Sequence, residues 1–180
     1  MGIHSCLFYE TKKDLYEIIV PYFEEGFRKN EFCIWIIAEP LGILDIYQYA
    51  PAKAVLFQQQ VADGRLKVMS AHDWYLDDGR LRTDKILSKW KVLTDPLSPQ
   101  KFSGIRASGD MAWLDMRNWE ECFEFEHSVD EFIKKKDITA LCTYPSLKFK
   151  EAETFLLSTC HSIATKNKNG FLEYVLYGSK

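Results

Sequence analysis

The sequence predicts an α/β protein built in three layers, a mainly parallel β-sheet with helices on both faces. Two observations carry this. Runs such as Phe32 to Ala38 (FCIWIIA) and Ile138 to Thr143 (ITALCT) are continuously apolar, as strands covered on both faces are. Between such runs lie stretches of roughly 10–15 residues with helical periodicity, the alternation that produces βαβ units.

Taken in order, Cys6 to Glu10 (CLFYE) opens as a strand. Thr11, with Asp14 three residues on, supplies an N-cap and its reciprocal acid. Leu15, Ile18, Ile19, Tyr22, Phe23 and Phe27 then form one apolar stripe, in a helix that Pro21 is expected to kink. The second strand, Phe32 to Ala38, stops at Glu39-Pro40-Leu41-Gly42. A less regular helical region covers Ile43 to Ala62 with a break at Pro51. Asp63-Gly64-Arg65 turns into an alternating strand, Leu66 to Ser70. Asp77-Asp78-Gly79-Arg80 reads as a loop, and Thr83 begins a helix carrying Ile86, Leu87, Trp90 and Leu93, ended by Pro96 and Pro99. Phe102 to Ala107 is a strand running into Ser108-Gly109-Asp110. Asn118 caps a helix with Phe123, His127, Val129 and Phe132 expected near its inner side. Ile138 to Thr143 is a strand, Glu151 to Ala164 a helix, and Phe171 to Tyr177 a closing strand, antiparallel at an edge after a turn at Asn167 to Gly170.

Composition narrows the function classes. With 180 residues, 47% hydrophobic, the chain can bury a core as one domain over 1–180 without disulfides or metals. A net charge of −3 and short basic runs (Lys134 to Lys136, Lys166 to Lys168) argue against direct nucleic-acid binding, which needs a concentrated basic face. The longest apolar run, Cys33 to Ala38, is far shorter than the ~20 residues of a membrane span, and no secretory leader pattern is visible. Five scattered cysteines without a CxxC read as reduced thiols in a cytoplasmic protein.

In a parallel sheet, ligands gather beyond the carboxyl ends of the strands. Here those ends carry Tyr9, Glu10, Glu39, Trp74, Tyr75, Asp110, Met111, Trp113, Thr143 and Tyr144, a composition suited to a mostly apolar ligand with a few polar contacts. The same aromatics equally suit packing of loops onto the sheet. His4 and Cys6 sit two apart and so share a strand face, which opens a second reading. With Cys142 or Cys33 they could begin a metal or thiol centre. No cofactor is required by the sequence.

Enzyme signatures are thin. The loop after the first strand, Glu10-Thr11-Lys12-Lys13-Asp14, has no glycine and no GxxxxGK[ST], so its amides cannot wrap a polyphosphate. Gly104 to Asp110 nevertheless resembles the apolar strand whose terminal acid holds magnesium in P-loop enzymes, which keeps a degenerate nucleotide-binding protein or NTPase as an alternative. Cys142, His161 and Asp110 make a nucleophile set only by assumption. The residues favour binding over catalysis.

Several stretches resemble the MEDS (methanogen/methylotroph, DcmR) sensory domain family in order along the chain. They are His4-Ser5-Cys6-Leu7-Phe8-Tyr9-Glu10, Phe23 to Phe27 with Cys33 to Ile36 and Glu39-Pro40, Asp73 to Leu76, Arg106 to Trp113, Phe125-Glu126, and Leu141 to Tyr144. The resemblance implies a RecA/KaiC-like fold without its phosphate loop. It also implies a small-molecule sensor for simple hydrocarbon or one-carbon derivatives, working with a histidine kinase or transcriptional regulator. The chain departs from the family at Ser162, where proline is frequent, and in having no attached kinase or DNA-binding segment. On this reading His4, Cys6, Arg106, Asp110 and Glu126 are polar anchors, and Tyr9, Trp74, Tyr75, Met111, Trp113 and Tyr144 form the apolar wall. Arg106 and the acids also suit pairing with one another. Homo-oligomerisation is left open.

Overall fold

The computed structural model describes residues 2–94, 102–114, 119–168 and 171–174. The chain runs β1 (Ile3–Tyr9), α1 (Lys12–Arg28), β2 (Phe32–Ile37), α2 (Ile46–Tyr49), α3 (Ala54–Ala62), β3 (Leu66–Ser70), α4 (Ala71–Tyr75), β4 (Leu76–Asp77), β5 (Arg80–Leu81) and α5 (Thr83–Leu93). It continues with β6 (Ile105–Asp110), α6 (Trp119–Ile133), β7 (Ile138–Pro145), α7 (Glu151–Thr159), β8 (Ile163–Lys168) and β9 (Phe171–Tyr174). Seven strands form one sheet in the order β3-β2-β6-β7-β1-β8-β9. All neighbours are parallel except β8 and β9. The three-layer α/β reading therefore stands.

Strand alternation divides the core in two. On one face Leu7, Tyr9, Trp35 and Leu141 meet Tyr16, Ile19, Phe23 and Phe57 from α1 and α3. On the other, Cys6, Phe8, Ile36, Cys142 and Tyr144 meet Trp74, Ile86, Trp90, Phe125, Val129 and Leu157 from α4 to α7. Helix α1 begins with the expected capping box. Asp14 N–H donates to Thr11 Oγ1 at 3.2 Å, and Thr11 N–H donates to Asp14 Oδ2 at 2.9 Å. Pro21 lies within α1 on its exposed side, where a displaced carbonyl can turn to water, and the helical span continues through it. Asp78 and Gly79 both have positive φ, +50° and +72°, as the two-residue turn of the β4–β5 hairpin demands.

Three expectations are corrected. Helix α7 ends at Thr159, and Ile163–Lys168 is a strand between β1 and β9, not the end of a helix followed by a turn. No glycine or proline marks that boundary, and lysine and asparagine are poor strand formers. Pairing with β1 decides it. The fourth strand starts at Ile105, not Phe102. The inner side of α6 carries Cys122, Phe125, Glu126, Val129, Asp130 and Ile133, while His127 is exposed. Of the expected inner residues Val129 is on this side, while Phe123, His127 and Phe132 each lie one position from a residue that is. Asn118, Pro96 and Pro99 fall outside the described residues.

Candidate functional site

The predicted site residues fall on both faces of the sheet. On the α1 face, Asp110 ends β6 in register with Thr143 of β7, and Tyr9 reaches it from β1, one strand further on. Tyr9 Oη and Thr143 Oγ1 donate to Asp110 Oδ2 at 2.8 and 2.9 Å, and the Ala112 amide donates to Oδ1 at 2.9 Å. Arg106 shares that face but sits a strand-length away. Its Nε donates to Glu31 at 2.6 Å, and its guanidinium lies 4.7 Å from the Tyr22 ring. Arg106 is thus engaged in a local ion pair and is not gathered with the other anchors. Gly26 permits this, because a Cβ there would come within 2.7 Å of Arg106 Cδ.

Burial raises the Asp110 carboxyl from 3.8 to about 6, against the lowering effect of its three hydrogen bonds and Lys148. A folded pKa above the unfolded one means that the native state binds the proton more tightly. This contribution is therefore greatest below about pH 4 and is lost as pH rises through 6. The stability of wild type relative to Asp110→Asn should fall between pH 4 and 7 in urea unfolding. A difference that does not change with pH would contradict the assignment.

The opposite face gathers His4, Cys6, Trp74, Tyr75, Met111, Glu126, Cys142 and Tyr144, all buried. Alternation puts His4 and Cys6 on this side of β1, and Cys6 pairs in register with Cys142 of β7. Tyr75 stacks on Trp113 at 5.1 Å and meets Phe125 edge-on at 5.7 Å, while Trp74 packs edge-on against Trp90 at 5.4 Å. Beneath them is a cavity of about 20 Å³ lined by Trp74, Tyr75, Trp90, Phe125, Val129 and Cys142, among others. A water needs roughly 10–15 Å³, so the space as it stands holds one water-sized guest, and a slightly larger one must push the lining side chains apart.

Next to the cavity lies a buried polar cluster. Tyr144 Oη donates to Glu126 Oε1 at 2.6 Å. Glu126 Oε2 is 3.4 Å from His4 Nε2, 3.5 Å from His161 Nε2 and 3.5 Å from Cys142 Sγ, and His4 Nε2 is 3.4 Å from Cys142 Sγ. Burial alone would raise the Glu126 carboxyl, but contact with His161 and His4 outweighs it and holds the group well below the usual range. Burial and the Glu126 charge push the Cys142 thiol up to about 12.

His161 reaches the cluster because the chain leaves α7 and joins β1 at once, the Ser162 amide donating to the His4 carbonyl at 2.7 Å. Glu126 and Asp130, one helical turn apart on α6, both point at the sheet. The sequence singled out His4, Cys6, Cys142 and Glu126, and named His161 only beside Cys142 and Asp110 as a nucleophile set. Its signal, a histidine just past a helix, was masked by the helix expected to run to Ala164.

A parallel sheet of this order, covered on both sides, defines a three-layer α/β protein. Of 157 solved chains that match, one is the flagellar accessory protein FlaH from Methanocaldococcus jannaschii. It has a TM-score of 0.53 and 10% identity, with coverage of 98% of this chain and 80% of that one. A likeness at that identity shows the fold, and so widespread a fold selects no function by itself. The sequence is more specific. Residues 3–162 match the family described as MEDS, MEthanogen/methylotroph, DcmR Sensory domain, and the chain belongs to that family. No curated protein matches it. No described helix is long and apolar enough to cross a membrane.

Proposed function

We propose that the protein is a sensory domain whose input is a very small, mostly apolar molecule, such as a halogenated or methylated one-carbon compound, taken up between α4, α6 and the sheet. The supporting observation is the cavity's size and lining, about 20 Å³ among Trp74, Tyr75, Trp90, Phe125 and Val129, with the Cys142 thiol in its wall. Membership of a sensory family favours the same reading. Output would pass to a histidine kinase or transcriptional regulator, and no catalytic step is invoked.

The nucleotide alternative is weaker on physical grounds. In phosphate-binding relatives the first helix offers free amides and a positive dipole end to an anion. Here the Asp14 carboxylate already occupies that end, accepting from both the Thr11 amide and its hydroxyl at 2.9 and 2.7 Å.

Two indoles line the cavity, so tryptophan fluorescence should report its occupant. Titration with dichloromethane should give a saturable change in wild type and none in Ala140→Leu, whose larger side chain fills the space. Both proteins should keep the same circular dichroism. An identical response in the variant would place the binding elsewhere and overturn the assignment.

A further inference from the structure

We propose that His4 Nε2, Glu126, Cys142 Sγ and His161 Nε2 form a buried, four-coordinate site for a zinc-class divalent cation. The site stands independently of whether the neighbouring cavity takes a guest. These four ligand atoms all lie within 4.8 Å of one another. For bonds of about 2.0–2.3 Å, the edges of a ligand tetrahedron are about 3.3–3.7 Å. Four of the six edges here fall at 3.4 or 3.5 Å.

A hydrogen-bond network explains these spacings less well. An S–H contact of 3.5 Å is acceptable, but N–H···O bonds favour about 2.7–3.2 Å, and both imidazole–carboxylate separations exceed that. The His161 side chain is fully buried, and its Nε2 makes no hydrogen bond. Its Nδ1 is 2.7 Å from the Leu157 carbonyl, which can only accept, so Nδ1 carries a proton and Nε2 is the nitrogen turned to the cluster. His4 also turns Nε2 toward the cluster, while its Nδ1 has no hydrogen-bond partner among the described residues and lies 3.6 Å from Asp130 Oδ1. Asp130 is in turn held by Lys134 at 2.6 Å. Each histidine thus turns Nε2 inward, and for His161 the other nitrogen meets an outer acceptor, as in metal-ligating imidazoles. Two nitrogens, one thiolate and one carboxylate suit zinc or cobalt(II) better than the oxygen-seeking magnesium or calcium.

Among the described residues, Cys6 lies outside this set of four, which revises the expectation that it would be a ligand with His4 and Cys142. The site is enclosed, so the ion would enter during folding. The protein should therefore be unfolded with a chelator and refolded with one equivalent of cobalt(II) or zinc.

The expected result is one ion per chain by native mass spectrometry. The cobalt form should show tetrahedral d–d bands and a thiolate charge-transfer band, and zinc should raise the unfolding midpoint by about 5 °C or more. Cys142→Ser should lose the charge-transfer band, while Cys6→Ser and Cys160→Ser keep it. Wild type that refolds with native circular dichroism but retains no ion, or a band lost in Cys6→Ser and kept in Cys142→Ser, would overturn the proposal.

Discussion

Glu126→Ala should destabilise the protein by about 3–5 kcal/mol, the cost of breaking a buried charged cluster by removing one partner. The carboxylate is fully buried and touches His4, Cys142, Tyr144 and His161 at once. Alanine would leave the buried Tyr144 hydroxyl without its acceptor and remove the carboxylate that faces both imidazoles. Glu126→Gln should cost less, because its amide oxygen can still accept from Tyr144. Urea unfolding of the metal-free proteins should rank them as wild type, then Gln, then Ala. A loss under about 1 kcal/mol for alanine would mean that the carboxylate is not what organises this part of the core.

Gly109→Ala should be the next most damaging substitution, at about 3 kcal/mol, the upper end of the range for overpacking. A Cβ at Gly109 would lie 1.9 Å from Tyr75 Oη. The tyrosine cannot swing aside, because its ring is stacked on Trp113 and pinned edge-on by Phe125. To relieve the clash, α4 must lift from the sheet, which also reshapes the cavity beneath it. The variant should therefore show a lower thermal midpoint and a loss of any dichloromethane response. If it unfolds like wild type, Tyr75 is not fixed as described, and the cavity loses its roof.

The fold was legible where burial and periodicity agree. Phe32 to Ala38 and Leu66 to Ser70 are strands within a residue of their predicted limits, and Thr11 with Asp14 marked the start of α1. It was illegible where tertiary pairing overrides local preference, as in Ile163–Lys168, polar in composition yet held between β1 and β9.

The site followed the same rule. Placing residues beyond strand ends collected Tyr9 with Asp110, and Trp74 with Tyr75. It merged two faces, however, because side chains two apart share a side while neighbours do not. His4 and Cys6 have one parity and Tyr9 the other, so one pocket could never hold them all. Arg106 and Asp110 both face α1, and at opposite ends of β6 they serve different partners. The His161 contribution depends on α7 ending at Thr159, which no residue type announces.

The central claim is that the small space between α4, α6 and the sheet is the sensing cavity, and a crystal of the protein pressurised with xenon tests it most directly. The account predicts a xenon peak in van der Waals contact with Trp74, Val129, Ala140 and Cys142, absent from the Ala140→Leu variant. A second apolar hollow, about 330 Å³ on the surface around Leu44, Tyr47, Phe57 and Val61, provides the built-in comparison. Xenon found only there, with no peak beside Cys142, would contradict the account.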